Sequence, residues 1–364
     1  MNIILFIIVL TVLVFVHELG HFLAAKRAGI RVDEFGIGFP PALFKKKVGE
    51  TVYSINAFPV GGFVKIFGED PNDESLKGHD AKRSLTHKPK LIQAWVLVAG
   101  ITFNILFAWL LVSLGFMIGL PFPADDDRYG SRVQNAQIIL TQVLPESPAS
   151  MAGLKAGDNI VGISSGSEAL KDPTVVSVQK FIASHKEVLV SYVRNKEFKA
   201  APITTKEGIV EGRRAVGISM DFAGMLQLPV HEALYAGALT TASLTWGTIV
   251  GLADFFTNIF IGHANFADVA GPVGIAGVVG EASALGFVNL LTLVAIISIN
   301  LAVINLLPFP ALDGGRLFFL LIEKIKGSPI KPVVANTANG IGFILLILLM
   351  VVVTYHDIAK LIHG

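Results

Sequence analysis

The stretch FVHELGHFLAAKR, residues 15–27, decides the fold because it places three ionisable side chains at the end of a segment suited to lipid. The fourteen residues before it, MNIILFIIVLTVLV, contain no charged side chain. An ionisable group near the centre of a bilayer costs roughly 2.5–3.5 kcal/mol on insertion scales. Such groups are expected only where they have a function, so the stretch predicts a membrane-spanning helix that carries a functional site.

The composition indicates a multi-pass membrane protein. Of the 364 residues, 52% are hydrophobic and only 16% are charged, against about 25% charged residues in an ordinary soluble domain. The net charge of +1 gives no reason to expect a nucleic-acid partner. The chain has no cysteine, which excludes disulfides, thiolate metal sites and cysteine nucleophiles. Residues 1–16 lack the basic start of a cleaved signal peptide, so a retained first span is predicted.

Basic residues set the predicted sidedness. The loop from Ala25 to Lys90 carries 12 Lys and Arg residues and the loop from Leu312 to Val334 carries four, so the positive-inside rule assigns both to the cytoplasm. The loop from Gly262 to Leu285 has none and is assigned to the outside. The apolar segment 234–262 then begins and ends outside, and we expect it to lie at the outer interface or to enter the membrane partway.

The two histidines of the opening stretch have the spacing of metal ligands. On a helix, His17 and His21 lie one turn apart and project from the same face. This spacing lets both imidazoles bind one zinc ion, while Glu18 beside them is able to take a proton from water. The alternative is a pair of buried structural histidines with Glu18 as their counter-ion, which is costly in an apolar span.

A hydrolytic zinc site usually has a third protein ligand, and Asp313 is the best candidate. It lies in NLLPFPALDGGR, residues 305–316, where Pro308 and Pro310 break the helix at the cytoplasmic end of an apolar segment. The charge-derived topology brings this segment and the HELGH segment to the same side of the membrane. Had 234–262 crossed, Asp313 would lie on the opposite side from the histidines.

These two motifs together resemble those of the site-2 protease family of intramembrane zinc metalloproteases, and most of all its RseP-type bacterial members. Four further segments occur in the order expected of that family: VDEFGIGFPP (32–41), FPVGGFVKIFGED (58–70), VAGITFN (98–104) and AGPVGIA (270–276). The resemblance implies Zn2+ as the cofactor, with His17, His21 and Asp313 as its ligands and Glu18 as the catalytic glutamate.

The resemblance also implies a substrate-contacting role for two asparagines. Asn305 opens the second motif, where it either orients the substrate backbone or stabilises the oxyanion, or else serves only to break the helix. Asn104 belongs to a second-span motif in which Gly100 is kept but Ile101 stands where proline is common. Close packing of helices through small residues is the alternative explanation for that motif.

A third implied substrate contact is a β-hairpin. The segment 51–68 alternates like a hairpin, with Phe58-Pro59 and Gly61-Gly62 near its predicted turn. Its counterpart in the family dips into the membrane near the zinc, where an open edge pairs with the substrate as an added strand. A plain cytoplasmic hairpin is the alternative. The hairpin residues assigned to substrate binding are Gly61, Gly62, Phe63 and Val64.

Residues 128–222 differ from the rest of the chain. Between Pro121 and Val230 there are 12 Lys and Arg and 12 Asp and Glu residues, and runs such as EVLVSYV (187–193) alternate as β-strands do. The pattern G-L-x-x-G-D-x-I at 153–160 resembles a PDZ domain of bacterial envelope proteases. The alternative is a turn in another β-sandwich. The length suffices for one such domain, so the chain resembles the single-PDZ members.

The predicted fold is a polytopic α-helical membrane protein with four transmembrane helices, a membrane-associated β-hairpin and one inserted extracytoplasmic PDZ-like β-rich domain. The predicted segments are transmembrane helix 1 (1–24), the cytoplasmic loop with the hairpin (25–90), transmembrane helix 2 (91–120), the PDZ domain (128–222), extracytoplasmic interfacial helices and loop (229–285), transmembrane helix 3 leading to the LDG motif (286–311), a cytoplasmic loop (312–334) and transmembrane helix 4 (335–356).

The resemblance implies a protease of the bacterial cytoplasmic (inner) membrane that cleaves single-pass transmembrane proteins, such as anti-sigma factors or remnant signal peptides. The implied partners are these substrates, bilayer lipid and a peptide ligand of the PDZ domain. One alternative is a catalytically inactive PDZ-bearing scaffold, which the loss of Glu18 or of a ligand would have favoured. The other is a secondary transporter, but the chain lacks the two related halves typical of that class.

Overall fold

The computed structural model describes residues 2–69, 77–170, 173–194, 197–210, 212–262 and 270–363. The chain divides into two compact units, one comprising Met1–Gly115 and His231–Gly364 and the other comprising Phe116–Val230. Five helices in the described residues are long and apolar enough to cross a membrane. This agrees with a polytopic membrane protein that carries a β-rich domain.

The first unit begins with two long helices separated by two strands. These elements are α1 (Asn2–Arg27), β1 (Val32–Val48), β2 (Thr51–Ile66) and α2 (Lys90–Ile118). Helix α1 ends where Lys26 and Arg27 in its last turn interact favourably with the negative end of the helix dipole. Gly29 follows with a φ of +65°, a conformation that glycine adopts without strain and that ends helices.

Strands β1 and β2 form an antiparallel hairpin whose turn is at Gly49-Glu50. The prediction that residues 51–68 fold back on themselves was wrong, because residues 51–66 form the single strand β2. Alternation along a sequence identifies a strand but not its partner, and here the partner is the preceding segment. Gly61, with a φ of +81°, marks an irregularity within β2 and not the turn.

One part of β1 pairs with β2 on both of its sides. Residues 34–37 of β1 pair with residues 62–65 on one side and with residues 52–55 on the other. Among the described residues, the C-terminal part of β2 is therefore an edge of this sheet. The turn is anchored because Glu50 accepts hydrogen bonds from Lys26 and Arg83, which hold the pKa of its carboxyl below the usual range.

The described elements of the second unit are β3 (Leu120–Pro123), β4 (Gln134–Val143), α3 (Pro148–Met151), β5 (Asn159–Ser165), β6 (Glu168–Ala169), α4 (Val175–Ser184), β7 (Glu187–Arg194), β8 (Glu197–Thr204), β9 (Lys206–Val210), β10 (Arg213–Ala215) and β11 (Ile218–Leu226). The unit is built on one antiparallel sheet in the strand order β3-β11-β4-β5-β7-β8, with β6 paired to β5 and with β9 and β10 forming a separate pair. Alternating side chains of β7, among them Val188, Val190 and Tyr192, are buried in the core of this unit, as the run EVLVSYV predicts.

Within the residues that the structure describes, the first unit is completed by five helices: α5 (Val230–Phe260), α6 (Pro272–Ala284), α7 (Phe287–Leu306), α8 (Asp313–Lys326) and α9 (Pro332–His363). Helix α5 is one continuous helix of 31 residues, and its length and composition would also suit a span. The four-span topology therefore stays a prediction. Residues 263–269 of the predicted extracytoplasmic loop lie outside the described residues.

Two ion pairs fasten α8 to residues at and before the start of α2. Arg316 and Glu323 on α8 form ion pairs with Glu69 and Lys90, respectively. Arg316 lies in the first turn of α8 and Glu323 in its last turn, so the two pairs hold the helix at both ends.

Helix α6 is capped from another helix. The buried carboxylate of Asp357, on α9, accepts hydrogen bonds from the backbone N–H groups of Gly271 at 3.2 Å and Gly274 at 2.8 Å. These donors lie at the N-terminus of α6, where backbone N–H groups lack partners within the helix. Asp357 thus ties α9 to α6, and α6 in turn packs against α1.

Among the described residues of the β-rich unit, the most buried ion pair joins Asp158 of the G-L-x-x-G-D-x-I pattern to Arg194 at the end of β7. The carboxylate of Asp158, 1% exposed, accepts hydrogen bonds from Nε and Nη2 of Arg194, each at 2.6 Å, and from the backbone N–H of Lys155 at 2.8 Å. Arg194 also donates to the carbonyl oxygen of Gly153 at 2.7 Å. The pair therefore joins the two ends of the pattern to β7.

We expect Arg194→Ala to destabilise the β-rich unit by about 3 kcal/mol, because it leaves the carboxylate of Asp158 buried and without its charge partner. Denaturant-dependent hydrogen exchange of the β5 and β7 amides in the full chain measures this loss. Lys199→Ala is the matched control, since its ion pair with Glu197 is exposed and contributes no more than about 1 kcal/mol. Equal effects of the two variants would contradict the prediction.

Candidate metal centre

Folding brings three predicted ligands to one point. The Nε2 atoms of His17 and His21 lie 3.2 Å apart, and Oδ2 of Asp313 lies 3.0 Å from the first and 3.2 Å from the second. Both histidines are buried, at 7% and 6% exposure, and the aspartate is partly buried. Two imidazole nitrogens and one carboxylate oxygen therefore face each other across a gap of the size that one metal ion fills.

The spacing of these atoms fits zinc. Ligand atoms about 2.0–2.1 Å from a tetrahedral zinc lie about 3.3 Å from one another. The three distances of 3.0–3.2 Å are close to that value. Two histidines and one carboxylate are also a donor set found in hydrolytic zinc enzymes, where a fourth position stays open for water or substrate.

Two glycines allow α1 and α2 to approach closely enough for this arrangement. A Cβ atom on Gly20 would overlap the carbonyl oxygen of Ala99, and one on Gly100 would overlap the imidazole ring of His21. Any larger residue at these positions would push the helices apart. Gly100, which the sequence placed in a second-span motif, therefore provides the space that the imidazole rings occupy.

Irregular backbone brings Asp313 to the histidines. The chain leaves α7 after Leu306, and Ala311 adopts a φ of +76° before α8 begins at Asp313. A Cβ atom on Gly314 would overlap the carbonyl oxygen of Leu307, and one on Gly315 that of Phe309. The two glycines of the LDGG sequence thus let the loop fold back over the first turn of α8.

Glu18 lies beside the ligands and is held by the edge of the hairpin. Its Oε2 accepts a hydrogen bond from the backbone N–H of Val64 at 3.1 Å. Glu18, Phe63 and Val64 line a cavity of about 170 Å³ together with the three ligands. A predicted base, two predicted substrate-contacting residues and the metal ligands therefore share one cavity.

The remaining predicted site residues lie at different distances from this cavity. The position of a Cβ atom on Gly62 would be 4.0 Å from Cγ of Glu18, and that on Gly61 would be 3.5 Å from the side chain of Val14 on α1. Asn305 lies in the last turn of α7 and is not among the described residues that line the cavity. Asn104 is fully buried, with its amide nitrogen 3.2 Å from Nδ1 of His17.

Sequence reasoning missed Glu69, whose side chain lines the same cavity and pairs with Arg316. The available signal was an acidic residue at the end of FPVGGFVKIFGED, directly after a predicted strand. The sequence does not show where α8 lies, so it gives no reason to distinguish Glu69 from an ordinary loop carboxylate.

A histidine pair on an apolar helix, joined by an aspartate at the start of another helix and with a glutamate beside them, is typical of the class of membrane-embedded metallohydrolases. Within that class the model of peptidase family M50 matches residues 5–349, and the chain belongs to this family, that of the site-2 proteases.

Curated relatives extend over almost the whole chain. A putative zinc metalloprotease of Clostridium perfringens is 36% identical, covering 98% of both chains. A relative from Bacillus subtilis named regulator of sigma-W protease RasP is 31% identical, covering 99% of both. A putative zinc metalloprotease of a Nostoc species is 33% identical, covering 95% of this chain and 93% of its own. The chain is thus a bacterial intramembrane protease with zinc as its metal.

We predict about one zinc per chain in the wild-type protein purified in detergent, and loss or sharp weakening of zinc binding in Asp313→Ala. The reason is that removal of one of three protein ligands leaves two imidazoles, too few for a stable site. Metal analysis by mass spectrometry measures the stoichiometry. Asp254→Ala, which removes an exposed carboxylate from α5, is the matched control. A wild-type zinc content in the Asp313 variant would show that this aspartate is not a metal ligand.

Proposed function

We propose that the protein hydrolyses peptide bonds within transmembrane segments of single-pass membrane proteins, with His17, His21 and Asp313 as zinc ligands and Glu18 as the general base. The observation that carries this proposal is the meeting of the three ligand atoms, 3.0–3.2 Å apart, beside Glu18 in one cavity. When bound, zinc supplies Lewis acidity, which polarises the scissile carbonyl and makes water more acidic.

Glu18 moves the proton in this reaction. Its carboxylate takes a proton from the attacking water and passes it to the amine that leaves when the peptide bond breaks. The hydrogen bond from the backbone N–H of Val64 fixes one carboxylate oxygen, so that the other is directed to the reacting groups.

The edge of β2 is proposed to hold the substrate extended. A peptide bond in a helix is shielded by its own hydrogen bonds, so the substrate has to unwind locally before hydrolysis. The edge lies along α1, with the carbonyl oxygen of Pro59 accepting a hydrogen bond from Thr11 at 2.5 Å and with Val64 bonded to Glu18. Between these two anchors, residues 60–63 offer backbone groups to which an extended peptide adds as a strand next to the cavity.

The proposed substrates are anti-sigma factors or remnant signal peptides in the bacterial inner membrane, which makes the reaction part of regulated intramembrane proteolysis. The relative from Bacillus subtilis whose name is regulator of sigma-W protease supports the regulatory part of this proposal. The basic cytoplasmic loops support a topology with the β-rich domain and both termini outside.

The β-rich unit is proposed to act as a single PDZ domain that binds a peptide. A groove of about 170 Å³ lies between α4 and the start of β11, lined by the apolar side chains of Ile182, Ile218 and Met220 and bordered by Arg213. A peptide added along residues 218–221 of β11, which β3 does not pair with, would place its side chains against this apolar floor, with the arginine available to a carboxylate.

Two other functions are less well supported. An inactive scaffold needs no general base, yet Glu18 is retained and directed into the cavity of the ligands. A transporter with zinc as cargo could use similar ligands, but a base beside an open metal position suits hydrolysis better.

We expect Glu18→Gln to keep zinc and to lose turnover by at least about a hundredfold, because the amide cannot accept the proton that the carboxylate takes. The measurement is cleavage of a single-span substrate in detergent or vesicles, with zinc content determined on the same sample. Glu232→Gln, a change at a partly exposed carboxylate in the first turn of α5, is the control. Cleavage at the wild-type rate by the Glu18 variant would sink the assignment of the base and revive the scaffold.

Val60→Pro is expected to slow cleavage while leaving zinc bound, because proline removes a backbone N–H from the edge that receives the substrate. Val60→Ala shortens the exposed side chain but keeps the N–H, and it should cleave nearly as the wild type does. Initial rates and zinc content of the two variants give the comparison. If alanine slows cleavage as much as proline does, the side chain and not strand pairing matters there.

A further inference from the structure

The imidazole of His17 has a neighbour on each of its two nitrogens. Its Nε2 faces the other two ligand atoms, and its Nδ1 lies 3.2 Å from the side-chain amide of Asn104. A metal-binding nitrogen has to offer its lone pair, so a ring that binds through Nε2 carries its hydrogen on Nδ1. Nδ1–H then needs an acceptor at the position of the Asn104 amide.

The side-chain amide of Asn104 presents a donor nitrogen to His17, where an acceptor oxygen is needed. As placed, its NH2 nitrogen faces Nδ1, and its Oδ1 is a buried oxygen without a hydrogen-bond partner among the described residues. The oxygen and nitrogen of an amide exchange positions by a half rotation that leaves the shape of the side chain unchanged, and the choice is fixed by the hydrogen bonds. Rotation places Oδ1 opposite Nδ1–H and gives that oxygen a partner.

We propose that Asn104 is a positioning residue for the metal centre, whose Oδ1 accepts the hydrogen bond from Nδ1–H of His17. This contact fixes the tautomer and the plane of the ring, so that Nε2 is directed at the metal. The inference rests on the proposed function, since it requires His17 to be a zinc ligand. It replaces the expectation that Asn104 contacts the substrate.

The second histidine is oriented in a matching way. Nδ1 of His21 lies 2.8 Å from the carbonyl oxygen of Val96, to which it donates when Nε2 binds metal. Val96, Gly100 and Asn104 follow one another at intervals of four residues and therefore lie on one face of α2. The outer two provide an acceptor for each imidazole, and the glycine between them leaves space for the rings.

The backbone at Asn104 is itself fastened. Oγ of Ser298, a fully buried residue of α7, donates a hydrogen bond at 2.8 Å to the carbonyl oxygen of Asn104. The asparagine is thus held by α7 on one side while its side chain meets α1 on the other. An acceptor that orients a ligand has to be rigid, and this contact supplies the rigidity.

The test compares three substitutions in the full chain purified in detergent. Asn104→Leu keeps the approximate volume but removes the acceptor, Asn104→Asp keeps an acceptor oxygen, and Asn104→Ala gives a smaller residue in case leucine hinders folding. Zinc affinity is measured by competition with a chelator, and thermal unfolding of each variant records its fold. Thr102→Val, at an exposed position of α2, is the control.

We expect Asn104→Leu and Asn104→Ala to weaken zinc binding by about 10–100-fold, the usual effect of removing such a partner, while Asn104→Asp and Thr102→Val bind at least as tightly as the wild type. Wild-type zinc affinity in the leucine and alanine variants would overturn the inference, as would an aspartate variant that is as weak as leucine. An increase of KM alone, with zinc affinity unchanged, would contradict the inference and indicate that Asn104 contacts the substrate. Asp313→Ala serves as the reference: if it too keeps zinc, the whole site is wrong and not only the role of Asn104.

Discussion

The close approach of His17, His21 and Asp313 is the contact on which the rest of the structure depends. The Nε2 atoms of the two histidines lie 3.2 Å apart and face the same carboxylate oxygen, and both rings are buried. Lone pairs that face each other at this distance repel unless a proton or a cation lies between them, and burial makes that repulsion stronger. The helices therefore pack around a group of polar atoms that needs shared protons or a bound cation between its members.

Small residues and buried hydrogen bonds allow the helices to pack around these polar atoms. Gly20 and Gly100 let α1 and α2 approach at the depth of the rings, where a methyl group would overlap a carbonyl oxygen or an imidazole. Two buried polar side chains in the helices of the first unit have backbone partners, Ser298 at Asn104 and Asp357 at the start of α6. In lipid an unpaired polar group is expensive, so these contacts also restrict how the helices can be arranged.

The sequence predicted those parts of the molecule that short-range patterns determine. Hydropathy located the long helices, and the spacing of His17 and His21 indicated a metal site, because both depend on residues within one or a few turns. Asp313 could be paired with the histidines only through an argument on membrane sidedness. The partner of β2 and the contact of Glu69 with α8 were missed, since alternation and charge along a chain do not specify which distant segment lies alongside.

The segment from Val64 to Glu69 connects the two halves of the site. Its first residue donates a hydrogen bond to Glu18 on α1, and its last pairs with Arg316, about one turn after Asp313 on α8. A displacement of this segment would move the base and the third ligand together. Since β2 also provides the edge proposed to receive the substrate, a peptide paired along that edge would restrain the strand and, through it, both groups. Such a coupling between substrate binding and the geometry for hydrolysis would favour substrates that have already unwound over those that are still helical.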